Sequence, residues 1–518
     1  MQLTNLESPY IHLPLSINQE RVLLGRELSA RNSIDPPTDN LAVGTMLSGP
    51  LYLDVLEGVL NTILRRHLGL RSSIFPNAAI SHSDRQARLQ VFANTGLFES
   101  GMFLQSIVDD VRLSIQLVDL SSIDPAKCDN EIRLVLQEQK GRPFDFRKPP
   151  PMRACLLKLE ERKHLLLLIV GHIVADGWSM NVLHKEIRLL YEAALNGVSK
   201  LPCIPISFAD FSVWQNTMLR TSHFNEDARY WRQQWAEFGS ARIGLQHLPF
   251  VRPTPKRPDF AFSSVRTRFS SDEAAKVRAF VQCSRSTLYM FFVMVYIVIL
   301  HHYTGKQRLA IWAHFSNRVQ IGVEHTVGYF INTHLLGFVC SDSLHSAEFL
   351  KQVRSVVMNA SVHQQMPILH LWKRLRCHPR FGDANLLLDL YTTRDNNESG
   401  TTPSGELRFQ QISLPGAALA RFSRLGIYVE NHEEGLSLQA QYASPQFPES
   451  AVVRMMEDMK VIAMAIIAEP EQLISSFAHV AEKYSGKRDP RPRGMDEFVI
   501  AGSDLIPRVP QSTTSSLR

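Results

Sequence analysis

His172 and Asp176 stand four residues apart in the stretch LLLLIVGHIVADGWSM (165–180), bracketed by Gly171 and Gly177. Histidine is the side chain best suited to move a proton near neutral pH, so an imidazole at the end of an apolar run is a candidate general base. A helix would put residues four apart on one face. The flanking glycines point instead to a tight loop, in which the aspartate holds the loop through an arginine rather than touching the histidine. Gly177, with no Cβ, lets a substrate arm approach the backbone closely. One histidine and one aspartate at this spacing also arise by chance, and most histidines are structural or surface groups. The pair alone therefore leaves both readings open.

The elements around the pair are those of a mixed α/β protein. Leu165–Val170 reads as a buried strand running into the loop. Leu183, Ile187, Leu190, Tyr191 and Ala194 recur at helical spacing directly after it, which predicts an amphipathic helix over Asn181–Leu195. Further strands are expected at Leu309–His314, Leu336–Cys340 and Asn385–Tyr391, and further helices at Leu51–Arg66 and Val452–Ile467. Proline-rich punctuation over 200–260 marks a connection between two domains. The stretch TTRDNNESGTTPSGEL (392–407) reads as a loop.

With 518 residues the chain is too long for one ordinary core and suits two or three domains. A formal charge of +6 with no dense Lys/Arg stripe gives no reason to expect nucleic-acid binding. The six cysteines form no CxxC pair, which fits a reducing compartment rather than a disulfide scaffold. The N-terminus lacks a basic start followed by an apolar core, so no signal peptide is expected. The longest apolar run, Leu288–Leu300, is shorter than the roughly 20 residues of a membrane span. It predicts a buried helix opened by Ser286 or Thr287. These features together predict a cytoplasmic protein with no membrane association. His301 and His302 invite a metal reading, but neighbours on a helix do not face each other and no carboxylate lies nearby in the sequence. No metal site is expected.

The stretch GHIVADG resembles the HHxxxDG signature of the condensation domains of nonribosomal peptide synthetases, within the chloramphenicol acetyltransferase-like acyltransferase superfamily. Five further blocks resemble the family's motifs and stand in its order. They are LSINQERVLL (15–24), RRHLGLRSSIF (65–75), FADFSVWQ (208–215), VGYFINT (327–333) and HQQMPI (363–368). The resemblance covers about residues 10 to 480. The chain departs from the pattern at Gly171 (the signature's first histidine), Leu68 (a glutamate), Gly337 (an arginine) and Gln365 (an aspartate). Gly171 removes an imidazole, which is expected to widen the pocket.

The resemblance implies two acetyltransferase-like α/β subdomains set in a V as a pseudo-dimer, about 1–222 and 223–482, with an active-site tunnel between them. A disordered basic, proline-rich tail (483–518) follows, and its segment MDEFVIAGSDLI is a candidate for docking a partner. It implies catalysis by His172, with the N–H of Gly177 as a donor to the oxyanion. Asp176 is expected to brace the loop through Arg318, and Asn332 to point toward the tunnel or to cap its own backbone. Arg71 and Gly171 are expected to support the site, and Trp178 and Trp214 to lie in the core. No cofactor of the protein's own is implied. The donor is a thioester on the phosphopantetheine arm of an acyl or peptidyl carrier protein. The acceptor is a small amine or alcohol, or a second carrier-bound group. With no adenylation, carrier or thioesterase segment after residue 482, a free-standing condensation enzyme forming an amide or ester is expected, its carrier supplied in trans. An acyl-CoA-dependent acyltransferase and a non-catalytic recruitment domain are the alternatives.

Overall fold

The structure is a computed structural model and describes residues 12–31, 40–95, 100–197, 201–239, 248–252, 262–375, 386–392, 407–412, 414, 424–432 and 435–479. Most of the loop expected over 392–407, and the tail from residue 484, lie outside the described residues.

Two large sheets organise the fold. The first has five strands in the order Arg408–Ile412, Asn40–Ser48, Lys163–Gly171, Met152–Glu160 and Ile115–Asp119. Its centre, Lys163–Gly171, is the apolar run that ends at the His172 loop. Leu165 to Val170 are all at most 1% exposed, because both faces of that strand are covered. The second sheet has six strands in the order Asn332–Val339, Arg308–Phe315, Leu386–Thr392, Leu425–His432, Gly435–Ala443 and Phe262–Arg268. A small third sheet joins Leu13–Pro14, Phe103–Ile107 and Ser72–Pro76.

The division expected at residue 222 is not a clean cut. Arg408–Ile412 pairs antiparallel with Asn40–Ser48, so a strand from late in the chain extends the early sheet. Phe409 is buried there with its ring edge-on to Tyr191. The proline-punctuated connection is described over 201–239 and 248–252. It carries the helices Phe208–Met218 and Asn225–Phe238, the first opened by a capping box between Ser207 and Asp210.

The apolar run forms the helix Leu288–Thr304, capped by Thr287, whose Oγ1 accepts from the Met290 N–H. Met290 to His301 are all buried, because the second sheet and three neighbouring helices surround that helix. Among the described residues no single helix is long and apolar enough to cross a membrane. Cys128, Cys155, Cys203, Cys283 and Cys340 are unpaired.

Candidate active site

His172 opens a 3-10 turn, His172–Val174, between the central strand and the helix Gly177–Asn196. It is buried, and its Nδ1 lies 2.8 Å from the Ala175 carbonyl. A carbonyl oxygen only accepts, so Nδ1 carries the proton and Nε2 is the basic nitrogen of the neutral ring. The ring packs edge-on against Tyr329, 5.0 Å between centroids. Arg21 donates to the Tyr329 hydroxyl at 3.1 Å, and Gln19 donates to the Ile173 carbonyl at 3.0 Å. The helix Ile17–Arg31 thus fixes the turn that carries the imidazole and the ring beside it. Gln19 and Arg21 stood out in sequence only as parts of a motif. Tyr329 likewise stood out only as part of the VGYFINT block.

Asp176 is the N-cap of the following helix. Its Oδ1 accepts from the Ser179 N–H at 2.8 Å, the Ser179 hydroxyl at 2.7 Å and Arg318 Nη2 at 3.0 Å. Its Oδ2 accepts from the Phe330 N–H at 3.2 Å. The aspartate therefore braces the loop through Arg318, as its setting between glycines suggested. Both side chains of the pair are 3% exposed. Arg318 also donates to the carbonyls of Val323 and Thr326 and lies over the Phe330 ring. Burial pulls the guanidinium's pKa down, and Asp176 opposes that shift. One hub thus ties the His172 loop to the segment carrying VGYFINT.

Two expectations about supporting residues are corrected. Asn332 does not point toward a tunnel. It is buried, and its amide donates to the carbonyls of Gln364 (2.9 Å) and Met366 (2.7 Å), clamping the segment that carries HQQMPI. Its Oδ1 accepts from the Thr333 N–H, so the local cap is present as well. Gly171 does not widen the pocket. A Cβ there would stand 2.8 Å from Phe146 Cε1 and 3.5 Å from Phe144, so these rings take the space a larger side chain would need. Gly337 has the same cause: a Cβ there would fall 2.0 Å from the Phe238 ring.

Arg71 is buried and donates to the carbonyls of Leu64 (3.1 Å) and Val108 (2.8 Å), which makes it a support for the backbone around the second motif. Its neighbours in that motif reach further. Arg66 Nε and His67 Nε2 meet Glu186 at 3.0 and 2.7 Å, anchoring the helix that Asp176 caps.

Gly177 begins that helix, so its N–H belongs to the first turn, which no intrahelical carbonyl satisfies. It lines a cavity of about 340 Å3 together with Asp176, Trp178, Tyr289, His314 and Asp389. Trp178, expected in the core, is instead 44% exposed, with its indole N–H donating to the Glu324 carbonyl at 2.9 Å. Trp214 packs against the core as expected. His314 and Asp389 were missed entirely. They sit on the adjacent strands Arg308–Phe315 and Leu386–Thr392, with His314 Nδ1 3.0 Å from Asp389 Oδ2. They are 75 residues apart in the chain, and strand adjacency alone brings them together.

One of the two grounds for excluding a metal at His301 and His302, the lack of a nearby carboxylate, does not hold in space. Asp342, from the turn after the strand Asn332–Val339, lies 3.2 Å from His301 Nε2. No local pattern signals this contact, because the carboxylate comes from another element.

The chain matches the Condensation domain family over residues 11–485. It is 26% identical over 473 residues to a linear gramicidin synthase protein of Brevibacillus parabrevis, spanning 91% of this chain and 9% of that protein. In fold it is similar to the condensation domain from the monacolin K polyketide synthase MokA, with a TM-score of 0.71 at 17% identity, covering 90% of this chain and 100% of that one. It is similar also to the X-domain from teicoplanin biosynthesis, with a TM-score of 0.69 at 20% identity, covering 92% and 98%. The protein has the chloramphenicol acetyltransferase-like architecture of condensation domains. It belongs to the Condensation domain family, whose relatives here include nonribosomal peptide synthetases of natural-product biosynthesis. The chain spans about a tenth of the length of those curated relatives.

Proposed function

We propose that this condensation domain is catalytic. It joins a carrier-bound acyl or aminoacyl group, held as a phosphopantetheinyl thioester, to an amine or hydroxyl acceptor. The observation that carries the reading is the fixed tautomer of His172: with Nδ1 donating to the Ala175 carbonyl, Nε2 is the nitrogen that can take a proton.

The lone pair of the acceptor's nitrogen or oxygen attacks the thioester carbonyl, and a proton on that atom passes to His172 Nε2 as the new C–N or C–O bond forms. The oxyanion of the tetrahedral intermediate takes a hydrogen bond from the N–H of Gly177, at the positive end of the helix dipole. The C–S bond then breaks, and the leaving thiolate takes the proton back from His172. Holding donor and acceptor together can supply about 7–11 kcal/mol of the barrier. The reaction needs no acyl-enzyme. A formal charge of +6 suits an acidic carrier protein.

A second reading is recruitment without catalysis. It draws support from the structural likeness to the teicoplanin X-domain, which has been solved in complex with OxyB. The test is intact-mass analysis of a loaded carrier protein offered to this chain with a panel of soluble amines and alcohols. Product that depends on His172 supports catalysis. Transfer that is equally fast with His172→Ala sinks the general-base role. Turnover with acyl-CoA alone would replace the carrier by coenzyme A.

A further inference from the structure

The helix Leu288–Thr304 begins at the cavity and ends elsewhere. Tyr289, near its start, lines the cavity beside Gly177. His301 and His302 stand about three and a half turns further on, roughly 18 Å along the axis at 1.5 Å per residue. There they meet Asp342 and the 3-10 turn Ile474–Phe477.

The hydrogen bonds fix the tautomer of each ring. His301 Nδ1 is 2.8 Å from the Lys306 carbonyl, so it must be the donor, and the neutral ring has its lone pair on Nε2. That lone pair faces Asp342 Oδ1 at 3.2 Å. Two electron pairs at this distance, one on an anion, call for a proton or a metal cation between them. His302 is held the other way round. Its Nε2 donates to the Ile474 carbonyl at 3.0 Å, which puts its lone pair on Nδ1. The two rings are 5.1 Å apart, tilted at 53°. The ligand atoms of His301, His302 and Asp342 all lie within 4.8 Å of one another. Each histidine gives its other N–H to a backbone carbonyl, the outer-shell arrangement that orients metal-binding imidazoles.

We propose that His301 Nε2, His302 Nδ1 and a carboxylate oxygen of Asp342 bind a borderline divalent cation of the zinc class. Two imidazoles and one carboxylate are an ordinary ligand set for such an ion. Ligands at about 2.0–2.1 Å in a tetrahedron stand about 3.3 Å apart, which the His301–Asp342 distance already matches. Closing the site asks the His302 ring to move toward the other two ligands, and Asp342, whose side chain is 65% exposed, can turn to follow it. The fourth position goes to water or to the exposed His479, whose Nδ1 lies 3.0 Å from the Ser476 carbonyl. Bound metal would pin together the helix end, the turn at Asp342 and the segment 474–479. Roughly 18 Å of helix separates it from the cavity, so it is a stabilising site rather than part of the chemistry proposed at His172.

The test uses the full chain, stripped with EDTA and titrated with zinc chloride by calorimetry, and with cobalt(II) followed by its visible spectrum. One equivalent of zinc is expected to bind at micromolar dissociation constant or tighter. Cobalt should give the intense visible bands of a tetrahedral site. Asp342→Asn and His302→Gln, each checked for folding by circular dichroism, should weaken zinc binding at least about tenfold. Each should also abolish the rise in melting temperature that zinc gives the unaltered chain. No saturable binding, or binding unchanged in both variants, overturns the proposal. Two variants are used so that a folding defect in one leaves the other to decide.

Discussion

Two His/Asp combinations, one reaching the cavity through Asp176 and the other through both of its side chains, are built in opposite ways. In the first, His172 and Asp176 are four residues apart, yet the carboxylate is occupied by Ser179, Phe330 and Arg318, while the imidazole leans on the Ala175 carbonyl. In the second, His314 and Asp389 are distant in sequence and meet directly across two strands. Closeness in sequence produced a brace and a separate imidazole. Distance in sequence produced a dyad. A carboxylate needs donors wherever it is buried, and the nearest donors in space decide its role.

The largest expected effect lies on the brace. Asp176→Ala removes a helix cap and leaves Arg318 buried without its counter-charge, which should cost about 3–5 kcal/mol in denaturant unfolding. It should destabilise the fold more than His172→Ala does. A variant that is as stable as the unaltered protein and merely slow would move Asp176 from the brace into the chemistry.

His172→Ala should lower turnover at least about a hundredfold, the scale of a lost general base. Single-turnover assays on a loaded carrier protein read this directly. Near-normal turnover would remove the base and leave positioning alone as the source of rate.

Gly171→Ala tests why the signature's first histidine is absent. The added Cβ must displace Phe146, and such overpacking typically costs about 1–3 kcal/mol. Phe146→Ala should relieve that cost in the double variant. Additive losses would mean that the ring is not the obstacle.

The smallest effect is expected at the dyad. If His314 holds the acceptor in the cavity, His314→Ala should raise the acceptor's KM about tenfold, roughly 1.4 kcal/mol of lost binding, with little change in kcat. The donor's KM should stay the same. A fall in kcat alone would place the dyad in the chemical step instead.

The chain's own sequence determined a good deal. The runs at Leu165–Val170 and Leu288–Leu300 announced a central strand and a buried helix, because continuous apolar character leaves them no solvent-facing side. The glycines around His172 announced a loop with its aspartate turned aside, and the family resemblance singled out Arg318 as the partner. Element ends agreed to within a few residues where a cap such as Thr287 or Asp176 was present. Tertiary structure decided the rest, since contacts between elements have no local signature. Only the fold could show that Asn332 clamps the backbone of 364–366, or that aromatic rings fill the space beside Gly171 and Gly337. Only the fold could carry Arg408–Ile412 into the first sheet. His314 met Asp389, and Asp342 met His301, because strand order and helix packing set neighbours that the spacing along the chain does not encode.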